Sequence, residues 1–110
     1  MITVVETRNF ERAARRLLAQ DRLADVIGLI AANPVIGDLV PETGGIRKLR
    51  IALEGRGKSG GARVIYYFHS ETMPVFLLDL FAKSEKENLS KAERNALAKL
   101  VRGIKEAYGV

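Results

Sequence analysis

Between Phe10 and Leu18, apolar side chains fall at Phe10, Ala13, Ala14, Leu17 and Leu18. This is the i, i+3, i+4, i+7, i+8 spacing of a helix packed on one side, with Arg8, Arg12, Arg15 and Arg16 left for solvent. Thr7 is placed to cap it. The same spacing returns at Leu23, Val26, Ile27, Ile30 and Ala31, with Asp21 as the expected N-cap and Asn33-Pro34 as the stop. Two helices joined by so short a break predict an antiparallel helical hairpin with a common apolar face. Ahead of them, Ile2 to Val5 is β-branched and long enough for an edge strand.

From Val35 to Gly45 the pattern dissolves into a glycine-containing connection, and the rhythm then changes to twofold. Leu49, Ile51 and Leu53 point one way, whereas Lys48, Arg50 and Ala52 point the other. Glu54 to Gly61 reads as a glycine-rich hairpin loop carrying Arg56 and Lys58. Ala62 to Phe68 follows as a strand with both faces largely apolar, which predicts a central position in the sheet. Val75 to Ala82 is a third, nearly continuous apolar strand, with Pro74 at its permitted start. Ser90 and Glu93 match a capping box, and Leu97, Leu100, Val101, Ile104 and Tyr108 define the inner stripe of a last helix. Together these elements predict a single α+β domain over residues 1–110, with helices covering one face of a small antiparallel sheet.

Charge adds a location to this outline. The 110 residues carry 18 Lys and Arg against 13 Asp and Glu. The stretch from Gly44 to Phe68 holds Arg47, Lys48, Arg50, Arg56, Lys58 and Arg63 against the single acid Glu54, so the whole formal excess of +5 resides there. A field concentrated on one element attracts polyanions, nucleic acid foremost. Cysteine is absent and His69 is the only histidine, so neither a thiolate metal site nor a histidine cluster is available. No metal and no cofactor is expected. The N-terminus turns polar before an apolar core of signal length develops, and no apolar run approaches a bilayer span, so a cytoplasmic protein without a membrane partner is expected.

If the hairpin strands pair and the third lies beside the second, then Lys48, Arg50, Arg63 and Lys83 come from three adjacent strands. Cross-strand side chains lie within about 5 Å and diagonal ones within roughly 8 Å, close enough to surround one phosphate. Such a cluster suits phosphoryl chemistry on RNA, where a ribose 2′-hydroxyl attacks the adjacent phosphate. Arginine offers a planar fork to the phosphate oxygens, and a lysine depressed in pKa by neighbouring cations exchanges a proton. The same residues would serve simple phosphate binding, and residue types alone leave the two readings open. Arg47, Arg56, Lys58 and Lys86 extend the basic set, and Tyr67 is a candidate for stacking on a base, although a tyrosine pair inside a strand also suits a core. His69 reads as a turn residue. GRGKSGG lacks phosphate-loop spacing and joins strand to strand.

The run GGIRKLRIALEGRGKSGGARVIYYF, followed by a strand ending in FAKSEKENLS and a Ser-led helix, resembles toxins of the RelE/ParE superfamily in bacterial type II toxin-antitoxin systems, in their HigB-like branch. The resemblance implies a RelE-like α+β fold, with an N-terminal helical hairpin and a C-terminal helix packed on a small, mainly antiparallel sheet. It implies a ribosome-dependent mRNA endoribonuclease that needs no metal, and a cognate antitoxin of the helix-turn-helix, HigA-like kind. Position by position, it implies that Arg63 stabilises the charged phosphorane and that Lys48, Arg50 and Lys83 position the backbone or shuttle a proton. Where well-known members place an arginine and then a tyrosine after the final strand, this chain has Ser84 and Ser90. A ParE-like toxin that binds a protein target such as DNA gyrase, and a non-catalytic RNA-binding module, are the competing readings.

Overall fold

A computed structural model describes residues 2–53 and 61–110. In chain order the elements are β1 (Val4–Glu6), α1 (Arg8–Leu17), α2 (Gln20–Ala32), β2 (Asp38–Leu39), β3 (Ile46–Ile51), β4 (Ala62–Tyr67), β5 (Val75–Ala82) and α3 (Lys91–Tyr108). The five described strands form one sheet in the order β1-β5-β4-β3-β2. The sheet is mixed, because β1 runs parallel to β5 while the other pairings are antiparallel. β4 lies at its centre, as its two apolar faces predict, and every residue of that strand is buried.

Helices cover both faces of the sheet, not one. Phe10, Ala14, Val26 and Ile30 of the α1–α2 hairpin pack with Leu49, Ile51, Val64, Tyr66 and Leu77. Val101 of α3 packs with Ile46, Ile65, Tyr67, Leu78 and Phe81, the alternate positions on the same strands. A period of 3.6 shows that a helix has an apolar stripe. It does not say which side of a sheet receives that stripe. The stripe of α3 is also narrower than expected, because Leu100 and Tyr108 remain 45% and 47% exposed.

The helix ends follow local chemistry in two of three cases. The Thr7 hydroxyl accepts the Phe10 N–H at 3.4 Å and donates to the Leu77 carbonyl at 2.8 Å, so one side chain both caps α1 and ties it to β5. Ser90 and Glu93 form the reciprocal capping box of α3, and Gly109, in the left-handed conformation, ends it. The start of α2 departs from expectation. Its N-cap is Ala19, and the Asp21 carboxylate accepts the N–H of Arg22 inside the first turn instead.

On β5, Ile65 faces Asp79 and Tyr66 faces Leu77, leaving Leu78 as the extra residue of a bulge. Its carbonyl is reached by the Thr7 hydroxyl and the Asn9 amide, at 3.3 and 3.4 Å. The bulge resets the alternation, so Leu80 and Ala82 join Val75 and Leu77 in the α1–α2 core while Phe81 turns to the α3 side.

Candidate functional site

The α3 face of the sheet consists of rows fixed by the pairing register. Ile46, Tyr67 and Phe76 make the first row, Lys48, Ile65 and Asp79 the second, and Arg50, Arg63 and Phe81 the third. Along β3, Ile46 is buried, Lys48 is half-buried and Arg50 is exposed. Packing of α3 is thus concentrated at the apolar end, and the cationic end is left open. Arg50 and Arg63 are direct partners across β3 and β4, which sets their Cβ atoms about 4.5–5.5 Å apart.

Lys48, Arg50 and Arg63 line one cleft of about 200 Å³, together with Asp38 and Asn88. β2 supplies Asp38, which pairs with Lys48 in register. Asn88 comes from the segment leading into α3, where Leu89 is anchored in the core and Ser90 caps the helix. The Lys48 ammonium donates to the Asn88 side-chain oxygen at 3.4 Å. Neither Asp38 nor Asn88 stands out in the sequence, because a two-residue strand and a turn carry no periodic signal.

Arg63 is 7% exposed and donates to its neighbour's carbonyl, that of Ala62, at 3.2 Å. Burial, and the Arg50 charge beside it, lower its pKa. Among the described residues no carboxylate lies within ion-pair distance of it. Like charges set opposite one another across a sheet are destabilising, so this pair costs the fold stability. The arrangement favours an anion placed between the two guanidinium groups.

Lys83 continues the ladder one step beyond β5, donating its N–H to the Gly61 carbonyl at 2.8 Å. It is half-buried and is not among the residues lining the cleft. Arg56 and Lys58 lie outside the described residues.

Three further candidate residues lie apart from the cleft. Arg47 alternates with Lys48, so it belongs to the opposite face. Its guanidinium donates to the carbonyls of Val35 and Gly37, at 3.3 and 2.7 Å, and braces the chain after α2. Lys86 is engaged away from the cleft, in an ion pair with Glu93 and with its ammonium 4.7 Å from the centre of the Phe81 ring. Tyr67 is 1% exposed, between α3 and the sheet, and offers no ring to a base. Its hydroxyl finds no hydrogen-bond partner among the described residues, and burial raises its pKa. Tyr67→Phe removes that buried polar atom at constant packing. We expect an equal or higher Tm in a thermal melt.

Among the described residues no group of three His, Cys, Asp or Glu side chains could hold a metal ion, and no helix is long and apolar enough to cross a membrane.

With the fold and the cleft in place, comparison with known families is decisive at the level of class. Residues 2–108 match the family described as the RelE toxin of the RelE/RelB toxin-antitoxin system. The chain belongs to the RelE toxin family. It is the toxin of a toxin-antitoxin pair, whose counterpart is a cognate antitoxin.

Proposed function

We propose that this toxin is a ribosome-dependent endoribonuclease that cuts mRNA by attack of a ribose 2′-hydroxyl on the adjacent phosphodiester. The observation that carries the reading is the opposed pair Arg50 and Arg63, which line one cleft together with Lys48. In the reaction the 2′-oxygen to phosphorus bond forms and the bond from phosphorus to the 5′-oxygen breaks, leaving a 2′,3′-cyclic phosphate and a 5′-hydroxyl. Negative charge grows on the phosphoryl oxygens as the phosphorane forms. Fixed cations that meet this charge without reorganising are the largest single source of rate.

In this reading Arg63, held rigid by burial, stabilises the phosphorane, and Arg50 and Lys48 position the backbone. Asp38 is the carboxylate of the cleft and would take the 2′-hydroxyl proton, while Lys48, which lines the same cleft, is the nearest ammonium to return a proton to the departing 5′-oxygen. The antitoxin is a helix-turn-helix protein of the HigA-like kind, and the site of action is the cytoplasmic ribosome.

Brief induction with pulse-labelling of protein synthesis, alongside a DNA-damage reporter, tests this. The expected result is a collapse of incorporation with fragmented mRNA and a silent reporter. Intact mRNA with an active reporter would overturn it in favour of a gyrase-type target. Salt-sensitive RNA binding without fragments would reduce the protein to an RNA-binding module.

A further inference from the structure

Lys48 and Asn88 line not only the phosphate cleft but also a second hollow of about 410 Å³ on the α3 side, walled by Pro41, Glu42, Leu89 and Arg94. We propose that this hollow is a nucleobase subsite: it takes one unstacked base flanking the scissile phosphate, and Glu42 selects guanine. The proposal rests on the RNA-cleaving reading above and adds to it a substrate preference and the residue that sets it.

Continuity supplies the first argument. The two hollows adjoin at Lys48 and Asn88, which are hydrogen-bonded to each other, so a strand with its phosphate between Arg50 and Arg63 would pass over that contact to seat the next base in the larger one. Its volume lies within the roughly 300–1,000 Å³ of small-molecule sites, ample for one nucleotide. Single-stranded RNA is read through splayed bases stacked on aromatic rings or guanidinium planes. With Tyr67 buried, the guanidinium is the plane on offer. The Arg94 side chain is tied by one nitrogen to the Leu89 carbonyl at 2.9 Å, which fixes its orientation beside the apolar surfaces of Leu89 and Pro41.

Glu42 supplies the second. Its φ of 65° is left-handed, a conformation that non-glycine residues rarely adopt and that clusters at functional sites. The turn around it is braced on both sides. Thr43 is fully buried, and its hydroxyl donates to the Val40 carbonyl at 2.7 Å and accepts the Ile46 N–H at 3.2 Å. The Val40 N–H in turn donates to the Ile46 carbonyl at 2.8 Å. Glu42 is therefore carried at the rim of the hollow by a rigid support. Among the described residues its carboxylate has no hydrogen-bond or ion-pair partner, although Arg94 lines the same hollow.

Chemistry selects the base. An ionised carboxylate only accepts. Guanine presents two adjacent N–H donors, at N1 and N2, on its Watson–Crick edge, matching the two oxygens. Adenine, cytosine and uracil each set a donor beside an acceptor, which the second oxygen would oppose. A bidentate contact of this kind discriminates by roughly tenfold or more.

The test is sequencing of mRNA 5′-ends after brief induction of the wild type, Glu42→Gly and Glu42→Ala. Wild-type cuts should show guanine enriched by roughly tenfold at one nucleotide flanking the cut. Both variants should still cut, with the enrichment reduced to about twofold or less. Glycine relieves the left-handed backbone, so Glu42→Gly should melt at or above the wild-type Tm, which separates lost preference from lost folding. Wild-type cuts without flanking guanine enrichment, or enrichment unchanged in both variants, would overturn the subsite and leave the cleavage reading standing. An absence of wild-type cuts would overturn the cleavage reading, and the subsite with it.

Discussion

Replacing Arg63 by methionine is expected to abolish toxicity and at the same time to make the protein more stable. Arg63 is buried opposite Arg50 without a described ion-pair partner, and its hydrogen bond goes to the carbonyl of the adjacent residue. Methionine keeps an unbranched, flexible side chain, shorter by the guanidinium end, and places an apolar group beside Ile65 and Phe81, its neighbours along and across the sheet. Exchanging buried charge for well-packed apolar side chains is worth about 1–4 kcal/mol in favourable cases, and the lower half of that range applies here because the cleft stays open to water. For a chain of this size, each kcal/mol moves the midpoint by about 4 °C. Loss of one preorganised donor to a developing oxyanion costs about 10²–10³ in rate. Thermal melts and growth after induction read the two effects separately. A destabilised Arg63→Met variant would show that the arginine serves the fold, and a fully toxic one that it does not serve the reaction.

The second large effect is expected at Gly61. A Cβ there would sit 2.6 Å from the Ile51 carbonyl oxygen, a contact with rigid backbone. Relief requires β3 and β4 to separate at the Ile51–Ala62 pair, one position from Arg50 and Arg63. Overpacking of this sort costs about 1–3 kcal/mol. Because the displaced strands carry the opposed arginines, activity should fall by more than the loss of folded protein explains. The control is Gly28→Ala, on α2, where an added Cβ meets nothing within 4 Å. That change should stabilise by about 0.5–1 kcal/mol through the helix propensity of alanine. Equal behaviour of the two variants would contradict the steric account.

Local periodicity made most of the elements legible, and alternation made one wall of the cleft legible as well. The helical hairpin, the central apolar strand and the Ser90–Glu93 box are written in spacings of two, three and four residues, and they stand where those spacings place them. The same alternation that grouped Lys48 with Arg50 already assigned Arg47 to the other face, and the charge of Arg47 obscured that. The rest depends on distant pairings. Nothing within β1 records that it runs parallel to β5, nothing near Leu78 announces the bulge, and nothing in α3 states which face it covers. Asp38 reaches the cationic surface from a two-residue strand and Asn88 and Glu42 from connections, where side-chain type carries little information until the sheet brings them together.

The family assignment defines a toxin, and the opposed arginines supply a physical reason for the phosphodiester chemistry proposed for it. A cost in stability is accepted at the cleft, where two cations face each other with space for an anion between them. This explains why the α3 face is apolar at one end and cationic at the other. Closing the open end with apolar side chains would yield a tighter domain without the cationic cleft proposed to hold a phosphate.

The most direct measurement is the chemistry of the RNA ends. RNA extracted after brief induction of the wild type and of Arg63→Met would be ligated to 5′-adapters with and without prior kinase treatment. The account predicts cuts within translated codons that become ligatable only after kinase, because 2′-hydroxyl attack leaves a 5′-hydroxyl, and it predicts their disappearance in Arg63→Met. Cuts bearing a 5′-phosphate, or an unaltered cut map in the variant, would contradict it.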